Sequence, residues 1–356
     1  MLPGIVVLLF LLFGSGLAAA GHGVILLYHH VSDQTPPSTS VAPDRFEQHL
    51  QFLEQNDYQV WPLARLLESI YEKNGKLPDN VVAITFDDAY ESVYHQAWPR
   101  LAERGWPFTV FVNSDAIDQG LSPYMDWSQL RELAEHDVAI ENHSASHDHL
   151  LFREDGQTPA AWRQRVLADI ERAQLRIKAE TGHAPTMFAY PYGEDSAELA
   201  EIVSTAGYYG LTQRSGAVGQ GTDPQAIPRF PMATGLDSLD RLELAVRSRP
   251  LPVISSHTEP APTQGTIDEL QTLELVLAPS PYRLESLACY SGDGKQLDLE
   301  VDRGDLLRLK VEVAGIGKPG RNRVNCTAPA ADESGDFYWY AFQWVQLGPG
   351  SGRSID

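Results

Sequence analysis

Apolar residues along this chain gather in short continuous runs at 24–28, 81–86, 108–112, 138–141, 187–190, 208–212 and 252–256. Runs of that length, bounded by turn residues, predict strands buried on both faces, as in a parallel sheet. Helical spacing fills the intervals at 44–55, 61–72, 91–104, 127–136, 158–181, 196–206 and 237–248. Strands and helices taking turns predict a barrel-like α/β body with crossover helices. After residue 257 the pattern changes. Glu259-Pro260-Ala261-Pro262-Thr263-Gln264-Gly265 is rich in breakers and reads as a linker. Beyond it, alternating runs at 270–277, 297–301 and 306–313 are separated by Gly-Asp-Gly and Arg-Gly-Asp turns. They predict a small antiparallel β-sandwich. The body is thus expected at 21–262 and an accessory domain at 263–356. In Phe337 to Trp344 the alternation puts Tyr338, Tyr340 and Phe342 on one face and Trp339 on the other. Such a face fits either sugar stacking or the core of the sandwich.

Candidate chemistry sits where these strands end. Asp87 and Asp88 follow the run 81–86, and His143 and His147 follow 138–141. The C-terminal ends of parallel strands form the functional rim of α/β folds. Adjacent residues on an extended chain point to opposite faces, so the two carboxylates are expected to do different jobs. Two imidazoles and one carboxylate make a divalent-metal site with positions left for water and substrate, and the other Asp remains as a base. His149 offers a competing ligand at longer spacing. A third cluster, Ser255-Ser256-His257, follows another apolar pair. The pattern predicts metal-assisted hydrolysis.

These segments resemble, in order, the motifs of the NodB-homology polysaccharide deacetylases, carbohydrate esterase family 4. Leu27-Tyr28-His29-His30-Val31 is similar to the opening strand, and Thr85-Phe86-Asp87-Asp88 to the first catalytic motif. His143 to His147 is similar to the metal-binding motif, Phe188 to Gly193 to the groove motif, and Ser256-His257 to the last. The resemblance implies an irregular (β/α)7 barrel. It implies Asp88, His143 and His147 as ligands of zinc, with cobalt or nickel also accepted in the family. Asp87 would be the general base, His257 the general acid, and the backbone N–H of Tyr192 an oxyanion donor. His29, His30, Tyr190, Pro191 and Arg229 would line the substrate groove. The family's arginine in the groove motif is replaced here by Ala189, and Arg229 is expected to supply the lost contact to Asp87. Ser255 stands where a leucine lines the acetyl pocket. The opening Tyr28-His29-His30 and the arginine-free Tyr190-Pro191-Tyr192-Gly193 resemble the periplasmic exopolysaccharide branch that acts on poly-β-1,6-N-acetylglucosamine. The implied substrate is an acetylated polysaccharide; a binding-only relative and an O-acetyl esterase are the alternatives.

Composition adds limits. A net charge of −21 argues against nucleic acid or anionic membrane surfaces as partners. Residues 1–20, with an apolar core from Val6 to Phe13 and Ala18-Ala19-Ala20 at the end, read as a signal peptide of an exported, periplasmic or secreted protein. Membrane contact is expected only if that segment stays uncleaved. In that compartment Cys289 and Cys326 are expected to form a disulfide, with two buried thiols as the alternative. His22, His49, His95, His136 and His183 are expected at the surface.

Overall fold

A computed structural model describes residues 21–73, 76–262, 266–267 and 269–346. The expected leader, residues 1–20, lies outside that range, as does part of the expected linker. Six of the seven strands anticipated for the body are in place. β1 (His22–Tyr28), β2 (Val81–Phe86), β3 (Thr109–Val112), β4 (Ala139–Asn142), β5 (Met187–Ala189) and β6 (Tyr209–Leu211) lie side by side in that order, all parallel. All six residues of β2 are buried, as an apolar run flanked by helices on one side and the barrel interior on the other requires.

The seventh parallel strand is not 252–256. Ile227 bridges Leu211, and β7 (Phe230–Pro231) pairs with Leu26 and Leu27 of β1, so residues 227–231 close the sheet on itself. Pro228 and Pro231 have no N–H to give, which confines this strand to a short seam and hides it from any search for apolar runs.

The expected helices form at Pro43–Gln55, Leu63–Tyr71, Trp127–Glu135, Pro159–Thr181, Ala197–Thr205 and Leu239–Val246. The segment 91–104 differs. It opens with a widened turn at Val93–Ala97 before the helix Trp98–Glu103, because Pro99 cannot bond the carbonyl one turn back.

The second domain is a sandwich of two four-stranded sheets, and it begins earlier than residue 263. β8 (Ser248–Pro250) and β9 (Val253–Glu259) belong to it, with β10 (Thr272–Leu277), β11 (Ala288–Ser291), β12 (Leu299–Arg303), β13 (Leu307–Glu312), β14 (Gly320–Pro329) and β15 (Phe337–Gln346). The sheets run β8-β15-β14-β11 and β9-β10-β13-β12. β9 was expected in the barrel, but only Val253 and Ile254 in it are apolar and its exposure alternates. Such a strand suits one wet and one packed face, not the inside of a parallel sheet.

Cys289 and Cys326 face each other across β11 and β14 and form the expected disulfide within the sandwich core. The aromatic stripe of β15 is used for packing. Tyr338 and Trp344 are buried in that core, and Tyr340 and Phe342 pack on it. Trp339 turns to the barrel, 5.5 Å from the ring of Phe230 and under the guanidinium of Arg241 at 5.0 Å. Among the described residues no helix is long and apolar enough to cross a membrane.

Truncation tests the boundary. A chain ending at Pro262 keeps β8 and β9 but removes their partners β15 and β10. Two unpaired strand edges favour association, so this fragment is expected to aggregate on size-exclusion chromatography. A soluble, cooperatively melting monomer would instead place the boundary at 263.

Candidate metal and active site

The rim at the C-terminal ends of β2 and β4 carries the charged cluster. Asp87 donates its backbone N–H to the Tyr28 carbonyl at 2.9 Å, extending the ladder by one residue. The chain then turns sharply: Asp88 and Ala89 adopt left-handed φ values of 72° and 57°. After β4 the turn is built by its own polar side chains. Asn142 Oδ1 accepts from the Ser144 N–H at 2.8 Å, and Ser144 Oγ accepts from the His147 N–H at 2.9 Å. Asp169, on the helix Pro159–Thr181, accepts from the Ala145 N–H at 3.1 Å. These bonds explain why Ser144 and His147 tolerate φ of 65° and 57°.

The turns bring Asp88, His143 and His147 together, with one ligand atom from each lying within 4.8 Å of the others. Nε2 of His143 is 3.3 Å and Nε2 of His147 3.1 Å from the same Asp88 oxygen, Oδ1. His143 Nδ1 lies 2.7 Å from the Ala189 carbonyl. That contact requires the proton on Nδ1 and leaves the Nε2 lone pair facing the cluster. Yet Asp88 Oδ1 and His143 Nε2 are buried and make no hydrogen bond of acceptable geometry. Buried acceptors converging without a donor are costly, and a divalent cation satisfies all of them at once. The donor set of two imidazoles and a carboxylate suits zinc or a neighbouring first-row metal. Side-chain exposure rises from 1% at His143 and 8% at Asp88 to 21% at His147, so the cluster opens to solvent beside His147.

His149, the alternative ligand, is elsewhere engaged. Its Nδ1 lies 2.9 Å from Glu194 Oε2, and its ring stacks on Tyr192 at 4.0 Å.

Asp87, the residue before Asp88, is held apart from the three ligands but within the electrostatic reach of His143. Arg229, beside the closing strand, grips it bidentately, with Nη1 2.7 Å from Oδ1 and Nη2 2.8 Å from Oδ2. Arg229 also donates from Nε to the Thr212 carbonyl at 2.9 Å and from Nη1 to Thr85 Oγ1 at 3.3 Å. Both members of the pair are 0% exposed. Burial alone would raise the Asp87 pKa, but the guanidinium, with the nearby His143 and His29 imidazoles, outweighs it and holds the carboxyl below its ordinary value.

Several expected positions are corrected. His257 lies on β9, exposed and paired opposite Glu274, and no contact among the described residues joins it to Asp87, Asp88 or the two imidazoles. The chain has left the barrel by that point, so the last motif is not part of the site. Tyr190 is 0% exposed with its hydroxyl donating to the Gln225 carbonyl at 2.9 Å, and Pro191 is buried. Both belong to the support of the groove motif, not to its surface. Arg229 likewise lies beneath the groove. His30 is buried and stacks on Tyr90 at 3.5 Å.

His29, at the end of β1, is half-buried and lies within the electrostatic reach of Asp88, Asp87, Arg229 and His143. Burial lowers its pKa despite the two carboxylates. Tyr90 was missed by sequence reading. It stacks on Tyr124 at 5.0 Å, and burial and the nearby Asp88 raise its hydroxyl pKa far above the ordinary value. Its place two residues after Asp88 was the available signal. Of the histidines expected at the surface, His49 is instead buried between the Tyr28 hydroxyl and the Asp237 carbonyl, whereas His183 is exposed as expected and pairs with Glu141 at 2.9 Å.

Comparison with known proteins agrees with this geometry. Residues 74–211 match the family model described as polysaccharide deacetylase. The chain is 29% identical over 214 residues to a Bacillus subtilis protein bearing the name polysaccharide deacetylase YxkH, covering 60% of this chain and 72% of that one. It is 24% identical over 209 residues to a poly-β-1,6-N-acetyl-D-glucosamine N-deacetylase of Staphylococcus aureus, covering 57% and 71%. Among solved structures, IcaB from Ammonifex degensii superposes with a TM-score of 0.52 at 25% identity, over 61% of this chain and 94% of that one. The Streptococcus pyogenes deacetylase PplD shares the fold, with a TM-score of 0.56 at 20% identity over 63% and 98%.

Metal analysis of purified variants separates the two carboxylates. Asp88→Ala and His147→Ala are expected to lose bound divalent metal, whereas Asp87→Asn and His149→Ala retain it near one equivalent. Full occupancy in His147→Ala together with loss in His149→Ala would move the third ligand.

Proposed function

We propose, from the match of residues 74–211 to the polysaccharide deacetylase family model and from relatives named as deacetylases, that the chain is a hydrolase removing acetyl groups from N-acetylglucosamine units of an exported or cell-envelope polysaccharide. The observation that carries this reading is the pairing of an open Asp88–His143–His147 cluster with a separately held carboxylate on the residue before Asp88, Asp87. A divalent ion bound there supplies Lewis acidity, acidifying a water and polarising the acetyl carbonyl.

The chain's own residues do the rest. Asp87, kept ionised by Arg229, takes the proton of the attacking water. The Tyr192 backbone N–H, fixed at φ 58° on the loop after β5, donates to the oxyanion as it develops. His29 takes the place expected for His257 and protonates the departing amine. It is the imidazole near both carboxylates that is not a proposed metal ligand. Zinc is the proposed ion, and the proposed location is outside the cytoplasm, on the strength of the leader-like residues 1–20 and of relatives named for a polysaccharide substrate.

Acetate release from β-1,6- and β-1,4-linked N-acetylglucosamine oligomers tests this reading. Metal-stripped protein is expected to be inactive and to recover with zinc, cobalt or nickel. Release from acetylated xylan alone would make the chain an O-acetyl esterase, and no release from any glycan by metal-loaded protein would leave a binding-only relative.

The leaving-group role of His29 has its own test. His29→Ala should lose activity on the amide but keep most of it on 4-nitrophenyl acetate, whose leaving group needs no proton. Equal losses on both would remove the acid role. Arg229→Lys weakens the contact that lowers the Asp87 pKa, so the carboxylate form persists only at higher pH. The acidic limb of kcat/KM is therefore expected to move up by about one pH unit. An unmoved limb would mean that the limb reports another group.

A further inference from the structure

We propose that the C-terminal sandwich is part of the catalytic apparatus: Arg321 and Gln343 are positioning residues that hold the loop carrying the Tyr192 N–H. This rests on the oxyanion role given to that N–H above.

The loop is unusual in its backbone. Tyr192 (φ 58°, ψ 5°) and Gly193 (φ 68°) are consecutive left-handed residues. A left-handed tyrosine is sparsely populated and persists only where its surroundings hold it. The glycine is required by space as well as by φ, because a Cβ there would lie 2.6 Å from Gln213 Cβ.

The barrel holds the side of the loop that faces the site. The Tyr192 ring lies on His149 at 4.0 Å and meets His147 edge-on at 4.7 Å. Three residues on, Asp195 pairs with Arg214 at 2.7 Å.

The backbone carbonyls are held from the other domain. Arg321 Nη1, on β14, donates to the Tyr192 carbonyl. Gln343 Nε2, on β15, donates to the Gly193 carbonyl at 2.9 Å. Gln343 is only 8% exposed, so its bond is shielded from competing water. The Tyr192 carbonyl belongs to the peptide plane that sets ψ of Tyr192. The Tyr192 N–H itself lies in the Pro191–Tyr192 plane, whose carbonyl accepts from the Glu194 N–H at 3.2 Å. Holding the two following planes fixes the rest of this tight turn and so limits how far that N–H can swing from a developing oxyanion. Stabilisation of this kind depends on donors already in place when charge appears. The same two contacts could serve only to join the domains, and the two roles separate in kinetics. Domain glue alone would leave kcat untouched once the protein is folded, whereas a positioning role acts on the transition state and lowers kcat at constant KM.

The test uses the full chain with metal bound. Arg321→Ala combined with Gln343→Ala is expected to lower kcat about 10- to 100-fold, less than outright removal of an oxyanion donor. KM and metal content should stay within twofold of wild type. Deuterium exchange of the 190–195 amides should rise in the same variant. Arg321→Lys, which keeps a donor, should recover most of the kcat lost in Arg321→Ala. If the double variant does not fold, Arg321→Ala carries the test, since that side chain is exposed and its loss leaves no buried group unpaired. Unchanged kcat and unchanged exchange in Arg321→Ala would overturn the proposal, as would a rise in KM at constant kcat. Should wild-type protein release no acetate from any glycan, the deacetylase reading fails. The exchange measurement then still decides whether the sandwich holds the loop.

Discussion

The buried ion pair between Asp87 and Arg229 ties the chemistry of this protein to the closure of its fold. Arg229 stands between Ile227, which bridges β6, and Phe230, which pairs with β1. Asp87 is the first residue beyond β2, on the far side of β1. The pair therefore spans β1 and joins the two strands that flank it. Removing one partner of such a fully buried pair leaves an uncompensated charge and costs about 3–5 kcal/mol. Two further donors of the guanidinium are also spent, on the Thr212 carbonyl and on Thr85 Oγ1. Thr85 in turn donates to the Leu26 carbonyl at 2.8 Å. One arginine thus fixes the proposed base and closes the seam, while the left-handed turn at Asp88 carries that carboxylate to the two imidazoles.

Around this pair the backbone is held in conformations it does not favour. Eight non-glycine residues among those described have positive φ, and five of them, Asp88, Ala89, Ser144, His147 and Tyr192, belong to the three loops of the site. Each such residue is tolerated because local bonds over-determine it. Ser144 Oγ and Asp169 serve the histidine turn. The Ala189 carbonyl sets the His143 ring, so that a position where an arginine side chain was expected acts here through its backbone. Turning side chains inward over a short span requires sharp turns, and sharp turns require left-handed residues. The geometry that assembles three ligand atoms is also what makes the loops depend on their supports.

This division accounts for what could be read from the sequence. Six barrel strands were legible because burial on both faces writes an unbroken apolar run, and the ligand cluster because Asp88, His143 and His147 follow two such runs. The bond from Arg229 to Asp87 was legible as a chemical need, since a carboxylate in that motif wants a cation and Ala189 cannot supply one. The closing strand was not legible, because five residues with two prolines carry no periodic signal. His257 was misplaced for a related reason. Val253 and Ile254 look like the start of a buried strand, and only the pairing with Thr272–Leu277 reveals a sandwich edge. Side-chain contacts between domains, such as Gln343 on Gly193, leave no trace in local pattern at all.

The misplaced histidine has a structural logic. The chain passes from the helix Leu239–Val246 directly into β8 of the sandwich, so no further βα unit returns to the rim after β7. A residue that faces both Asp87 and Asp88 must then come from a strand already beside them. β1 lies between β2 and β7 in the sheet, and its C-terminal end opens between Asp87 and Arg229. His29 is the first residue beyond that end. A proton donor on β1 therefore needs no extra barrel strand, and the length of chain released after Val246 is free to build the sandwich. The sandwich then leans back over the loop after β5 through Arg321 and Gln343. The exit of the chain after Val246 thus does two things on this geometry: it carries residues 253–257 away from the rim, and it sets the sandwich against the loop after β5.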